Sequence, residues 1–109
     1  MTMQPTVFAA LSEPSRLRIV ELLKTGPKSV NEIAEHLGIR QPQVSKHLRT
    51  LGDSGIVTAE ALARQRIYHL EPEPFEEIGH WLGSFEQLWE TRLDSLGRLL
   101  GSITDRDKD

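Results

Sequence analysis

The chain has 109 residues, of which 38% are hydrophobic and 27% charged, and its formal net charge is −3. That length fits one compact domain but excludes a binding domain joined to a separate enzyme, and the composition is typical of a folded, water-soluble protein. The absence of cysteine excludes disulfides, thiolate metal sites and thiol redox switches, and no apolar run approaches the ~18 residues needed to span a bilayer. We therefore expect a cytoplasmic protein.

The charge changes sign along the chain. Residues 40–66 hold five basic and two acidic side chains, whereas residues 67–109 hold four basic and ten acidic ones. A local excess of three positive charges could face phosphate, although such an excess is also common on solvated surfaces. The charge pattern alone identifies no partner.

The first half of the chain predicts two helices with clear ends. From Pro14 to Lys24 the run has good helix formers and too many apolar positions for one narrow stripe, which predicts a largely buried helix that ends at Gly26. Residues 29–32, Ser-Val-Asn-Glu, then fit a capping box that begins a second helix. Its apolar residues recur at i, i+3, i+4 and i+7 before Gly38, so one face points inward.

A third short helix begins near Gln41, where Pro42 suits the first turn. Its apolar side consists of Val44, Leu48 and Leu51. Two short amphipathic helices joined by a turn of three or four residues containing glycine form the helix-turn-helix pattern. The sequence predicts this motif over residues 29–54.

The outer face of the third helix carries side chains suited to reading DNA. Gln can pair with adenine, Ser can donate or accept, and Lys or Arg can bind guanine or phosphate. The N-terminal part of such a helix meets the bases. We therefore expect base contacts from Gln41, Gln43, Ser45 and Lys46, and a phosphate contact from Arg49. For His47, on the flank, DNA contact and packing against the protein are equally good interpretations.

Two strand-like runs, 56–58 and 66–70, predict a β-hairpin, or wing, over residues 56–70. Arg64 and Arg66 lie at its tip, where long cationic side chains could reach a minor groove or the DNA backbone. The alternative is an ordinary polar hairpin tip.

The C-terminal third predicts one long helix over residues 73–103, about 46 Å long at ~1.5 Å per residue. Apolar residues recur in it with helical spacing, and they offer more apolar face than one small domain can cover. A partner helix is therefore expected. The mostly charged residues 104–109 predict a disordered tail.

From Ser12 to Leu70 the sequence resembles the ArsR-type winged-helix repressors, in the segments SEPSRLRIVELL, SVNEIAEHLGIRQPQVSKHLRTLGDSGIV and RQRIYHL. The stretch QPQVSKHLRTL followed by SGIV is similar to that family's recognition helix and its exit into the wing. The C-terminal WLGSFEQLWETRLDSL resembles a branch without cysteine metal sites that includes SdpR-like autorepressors. Two departures are Arg40, where a small or hydroxyl residue is usual, and a wing turn without the customary glycine.

The resemblance implies a mainly α fold, a winged helix-turn-helix with a small β-hairpin wing and a long C-terminal dimerisation helix, over residues 1–103. It also implies a homodimer that represses its own or a neighbouring operon at an inverted-repeat operator in double-stranded DNA. An unknown small-molecule or protein inducer would release it by a signal that needs no cysteine. Dimer contacts are then expected from the first and last helices, at Phe8, Leu11, Trp81, Phe85, Leu88, Trp89 and Leu96.

Three alternatives compete with parts of this interpretation. A metal sensor with ligands on the last helix would need convergent groups, but His80 stands near Glu76 as one histidine among carboxylates, so we expect no metal ligand and no cofactor. An inducer pocket lined by Trp81, Phe85 and Trp89 competes with the dimer interface. A protein-interaction module without DNA binding would leave the basic face merely solvated. No nucleotide-binding loop or plausible catalytic triad is present, so we expect no enzyme.

Overall fold

The computed structural model describes residues 5–107, except for the side chains of residue 89 and of residues from 102 onward. Seven elements lie in the first two thirds of the chain: α1 (Pro5–Leu11), α2 (Pro14–Leu23), β1 (Lys28–Ser29), α3 (Val30–Leu37), α4 (Gln41–Asp53), β2 (Val57–Leu62) and β3 (Gln65–Leu70). Two helices follow, α5 (Pro72–Gly83) and α6 (Glu86–Asp107). The chain divides into two compact units, one reaching Glu77 and one beginning at Ile78. The mainly α, winged helix-turn-helix prediction is confirmed.

The predicted capping box begins α3. The Ser29 hydroxyl accepts a hydrogen bond from the Glu32 amide at 3.2 Å, and the Glu32 carboxylate accepts one from the Ser29 amide at 3.0 Å. Gly38 ends the helix in the left-handed region at φ 65°, which a glycine adopts without steric cost. Pro42 lies in the first turn of α4, as predicted.

The core of the first unit lies where three helices meet the base of the sheet. Its fully buried side chains come from each of these elements: Ile19, Ile33, Val44, Leu48, Leu51, Ile56 and Val57. Burying one such side chain contributes roughly 1.5–3 kcal/mol. The α2 prediction needs one correction, because Leu17 is 46% exposed. The helix therefore buries one side rather than most of its surface.

The wing is part of a three-stranded antiparallel sheet in the order β1-β3-β2. Its register pairs Thr58 with His69 and Leu62 with Gln65, which leaves a two-residue turn between β2 and β3. The predicted hairpin is confirmed, with strands longer than the apolar runs suggested. The two-residue strand β1 was not predicted, since so short a segment has no periodicity of its own.

The predicted single C-terminal helix is wrong, because the chain leaves the helical path at Ser84 and Phe85. The Ser84 hydroxyl donates to the Trp81 carbonyl at 2.6 Å, and the Phe85 amide bonds the Leu82 carbonyl at 3.1 Å. A hydrogen bond from a serine hydroxyl to a nearby backbone carbonyl competes with the regular backbone hydrogen bonds of the helix. The predicted disordered tail also differs from the structure, in which α6 continues to Asp107; residues 108 and 109 lie outside the described residues.

Within the described part of the chain, none of the helices has the length and apolar content required to cross a membrane.

Candidate nucleic-acid interface

The buried side of α4 fixes which of its residues face solvent. Val44, Leu48 and Leu51 are almost completely buried, so the helix cannot rotate without exposing them. The side chains predicted to contact DNA on this helix are all exposed: Gln41, Gln43, Ser45, Lys46 and Arg49. These five side chains lie on the exposed part of the helix, which we call the outer face of α4; Ser45 and Arg49 border the wing, and Gln43 and Lys46 border the start of α2.

Gln41 is tied to the preceding helix, because its side-chain amide donates to the Asn31 side-chain oxygen. Asn31 is exposed near the start of α3 and lines a shallow depression with Arg64 and Arg66 of the wing. Asn31 belongs to no sequence pattern that predicts a DNA contact. Its contacts depend on the turn at Gly38 and on the wing, neither of which a helical pattern places in space.

The side chain of His47 lies at the edge of the outer face, toward the start of α2. Its Nδ1 lies 3.8 Å from the Glu13 carboxylate, and the side chain is 22% exposed. The same Glu13 oxygen accepts a hydrogen bond from the Arg16 amide at 2.9 Å and so caps α2. Of the two interpretations offered for His47, the geometry favours packing against α2.

The wing carries its cations at the tip and along one face. Arg64 is the second residue of the tip turn, and Arg66 follows one residue into β3; both are exposed. Since side chains alternate along a strand, Arg66 and Tyr68 share a face of the sheet, and both line a cleft against α4 with Ser45 and Arg49. The structure thus places the wing cations on a surface continuous with the outer face of α4.

The cations of this surface are available to a ligand. Among the described residues, the ion pairs are those of Lys24 with Glu21, His47 with Glu13 and His69 with Glu71. None of the four cations on α4 and the wing takes part in an ion pair within that range: Lys46, Arg49, Arg64 and Arg66. Unpaired exposed cations attract phosphate with no internal carboxylate to displace.

A polar cluster ties the base of the wing together on the opposite face of the sheet. The Thr58 hydroxyl donates to the Glu71 carboxylate at 2.6 Å and lies 2.7 Å from His69 Nε2, which is 3.0 Å from the same carboxylate. The hydrogen bonds from Thr58 and then His69 hold the pKa of Glu71 below its ordinary value. The cluster braces β2 against the end of β3.

The predicted dimer residues are mostly exposed. In the second unit Trp81, Phe85, Leu88 and Leu96 are exposed, and the rings of Trp81 and Phe85 meet edge to face with centroids 5.0 Å apart. The side chain of Trp89 lies outside the described residues. In the first unit Phe8 is exposed and Leu11 half-buried. No group of three or more His, Asp or Glu side chains that could hold a metal ion occurs in the region covered by the structure.

Comparison with known proteins places these features in a family. Residues 13–59 match the model of the bacterial regulatory protein arsR family. The chain is 32% identical over 79 residues to the transcriptional repressor SdpR of Bacillus subtilis, covering 72% of this chain and 88% of SdpR. It is also 32% identical to the HTH-type transcriptional regulator Rv2034 of Mycobacterium tuberculosis, over 90% of this chain and 89% of the relative.

Solved structures of known regulators have a fold similar to that of this chain. An ArsR family transcriptional regulator, RHA00566, superposes with a TM-score of 0.70 at 33% identity, covering 83% of this chain and 97% of its own. The homodimeric winged helix-turn-helix DNA-binding domain Mb0332 of Mycobacterium bovis superposes with a TM-score of 0.61 at 24% identity, over 79% of this chain and 77% of its own. The second likeness bears on the fold alone.

Proposed function

This chain belongs to the ArsR family of bacterial regulatory proteins and is a DNA-binding transcriptional regulator, not an enzyme, and we propose that it is a cytoplasmic homodimer that represses its own or a neighbouring operon. Its operator is an inverted repeat, since a two-fold symmetric dimer presents two recognition helices to two half-sites. The outer face of α4 and the wing form the DNA-binding surface of each protomer.

One observation carries this proposal: the exposed polar and cationic side chains of α4 and the wing lie on one continuous surface, and the cations there have no internal ion pairs. We assign the base contacts to Gln41, Gln43, Ser45 and Lys46. Arg49, Arg64 and Arg66 contact phosphates. His47 acts through the position of α4 against α2 rather than by touching DNA.

The dimer proposal rests on α6. Leu93, Leu96 and Leu100 recur at i, i+3 and i+7 and are 64%, 51% and 54% exposed, so the helix presents an apolar stripe to solvent. Continuous exposed apolar surfaces are typical of sites where proteins associate. A second copy of the chain offers a matching stripe, which makes a homodimer the simplest way to cover it.

Release from DNA requires a signal that the two DNA-binding surfaces sense. Cysteine chemistry is excluded by composition, so we propose a small-molecule or protein inducer that binds one dimer geometry better than the other. Only such a difference in binding free energy can shift DNA affinity.

The proposal is tested by measuring binding to duplex DNA from the protein's own upstream region, with an unrelated duplex as control, across a salt series. We expect the upstream duplex to bind at least ~1000-fold more tightly, and affinity to fall steeply with salt. Equal binding to both duplexes contradicts sequence-specific repression. Absence of binding to either favours a protein-interaction module.

Three variants test which side chains of this surface contact DNA. Lys46→Ala and Arg49→Ala should weaken binding, and loss of a phosphate contact should reduce the salt slope by about 1. Gln43→Ala should change base preference while the dimer persists. Lys24→Ala is the matched control, because it removes a cation directly after α2 that already pairs with Glu21. Affinity equal to that of the natural protein in all three α4 variants contradicts the assignment.

A further inference from the structure

An open cleft separates α4 from the inner face of the wing, the face that carries Ala59, Arg66 and Tyr68. Small residues on both walls keep it open. Ala59 lines the wing side, and Gly52 lines the α4 side, where a Cβ atom would already lie 3.9 Å from the Val57 carbonyl oxygen. Larger side chains at these two positions would narrow the cleft. The space is therefore a consequence of specific residues in both elements.

The cleft is rich in hydrogen-bond donors. Arg49 projects from α4 and Arg66 from β3, and neither forms an ion pair among the described residues. Asp53 is the one acidic residue of the lining, which leaves a net charge of +1. Guanidinium groups bind phosphate oxygens in preference to neutral ligands.

Tyr68 is the informative residue of this lining. Its side chain is half-buried between the sheet and α4, yet its hydroxyl has no hydrogen-bond partner in the part of the chain that the structure describes. Partly buried tyrosine hydroxyls usually find a partner. None of the polar side-chain atoms in the described residues is both buried and without a partner, so this hydroxyl opens to solvent in the cleft, where a phosphate oxygen can accept a hydrogen bond from it.

We propose that this cleft holds a backbone phosphate of the operator, with Tyr68 donating a hydrogen bond to one of its oxygens and Arg49 and Arg66 flanking it. The inference rests on the proposed function. A free phosphate ion has the same chemistry, but a DNA strand is favoured because Ser45 and Arg49 belong both to the cleft and to the outer face of α4. A duplex bound to that face passes directly over the cleft. Tyr68 is then a positioning residue that fixes the strand between helix and wing.

The test compares Tyr68→Phe with the natural protein, by fluorescence anisotropy with the upstream duplex and the unrelated duplex across a salt series. The substitution keeps the ring and removes only the hydroxyl. We expect affinity to fall about 3–10-fold for both duplexes alike, since a phosphate contact carries no sequence information. The salt slope should stay unchanged, because no charge is removed, whereas Arg66→Gln should lower it by about 1.

Thr25→Val is the matched control, because it removes a hydroxyl that follows α2 and lies outside the lining of the cleft, and it should leave DNA affinity within twofold. Equal affinity of Tyr68→Phe and the natural protein overturns the inference while the proposed function stands. A loss confined to the upstream duplex overturns it too, since that would indicate a base contact. If the natural protein binds neither duplex, the proposed function fails and the inference falls with it.

A second arm separates the two sources of phosphate. The melting temperature is measured in inorganic phosphate and in chloride at equal ionic strength. A phosphate-specific rise that Tyr68→Phe abolishes, together with unchanged DNA affinity of that variant, would identify the cleft as a site for a free anion and overturn the assignment to a DNA strand. No phosphate-specific rise, with weakened DNA binding, is the expected result.

Discussion

Ala63 adopts a φ angle of 57°, and it is the one residue other than glycine, within the range the structure covers, with a positive φ. It is the first of the two residues in the wing turn, where a positive φ at the first position alone is typical of a type II′ turn and favours glycine. A side chain in the left-handed region costs about 1–2 kcal/mol. The wing therefore folds with local strain where the sequence lacks the customary glycine.

Ala63→Gly should consequently stabilise the protein. Relief of the strain is partly offset by the greater freedom of glycine in the unfolded chain, so we expect a gain of roughly 0.5–1 kcal/mol in the free energy of unfolding. Urea denaturation measures it. Ala61→Gly, in the adjoining strand β2, is the matched control and should lower stability by a similar amount. A loss of stability in Ala63→Gly would contradict the strained turn.

The Glu71 cluster predicts a pH dependence of stability. Hydrogen bonds from Thr58 and His69 stabilise the charged carboxylate, so the pKa of Glu71 in the folded state lies below its ordinary value of 4.5. A lowered folded-state pKa contributes stability that is present above the ordinary pKa and is lost as pH falls through the folded-state pKa. Glu71→Gln should therefore show a smaller fall in melting temperature between about pH 5 and pH 3 than the natural protein.

Glu60→Gln provides the control for that pH series. It removes an exposed carboxylate from β2 that accepts no side-chain hydrogen bond among the described residues. The melting temperature of this variant should therefore fall with pH as that of the natural protein does. The capping-box carboxylate of Glu32, whose pKa is lowered by hydrogen bonds from Ser29, keeps its own contribution in both variants. If Glu71→Gln and the natural protein lose stability in parallel, the cluster does not favour the charged carboxylate.

At the scale of elements, sequence predicted best where local chemistry decides the outcome. The capping box at Ser29, the stop at Gly38 and the proline in the first turn of α4 each satisfy or remove backbone groups within four residues. The exposed side of α4 followed from the spacing of Val44, Leu48 and Leu51 alone. These features depend on no distant contact, so periodicity and capping rules identify them.

Features that depend on distant or competing contacts were not predicted. The apolar repeat runs through residues 84 and 85 without a gap, so it gave no sign that hydrogen bonds from Ser84 interrupt the helix there. The approach of His47 to Glu13 and the cleft beside Tyr68 arise from packing between elements far apart in sequence. A pattern along one element cannot place them.

The turn of the helix-turn-helix gives the element-scale prediction. Gly38 has φ 65°, and a Cβ built there would meet no atom within 4 Å, so the effect of a substitution is conformational rather than steric. Gly38→Ala should lower the free energy of unfolding by about 1 kcal/mol. Gly38→Asn should cost less, because asparagine tolerates the left-handed region better. Equal effects of the two variants in urea denaturation would argue against this explanation.

At the scale of the whole molecule, the apolar stripe of α6 sets the expected assembly. With ~100° per residue, Leu93, Leu96 and Leu100 fall on one side of the helix, whereas Gln87 and Asp94 fall on the other. Monomeric soluble proteins rarely leave a continuous row of leucine side chains exposed to water. Pairing with a second copy would remove this surface from solvent. Each Å² of apolar surface buried in this way stabilises the assembly by about 25 cal/mol.

Leu96→Glu places a charge in the middle of that stripe and should convert the dimer to a monomer, which sedimentation velocity measures directly. Each protomer keeps its outer face of α4, so binding to an unrelated duplex should weaken little. Affinity for the proposed inverted-repeat operator should fall by at least ~100-fold, because the two half-sites are no longer bound by linked protomers. Gln87→Glu adds the same charge to the opposite side of α6 and should leave assembly and DNA affinity intact. A dimeric Leu96→Glu protein would place the interface elsewhere, whereas a monomer that retains full operator affinity would separate DNA recognition from dimerisation.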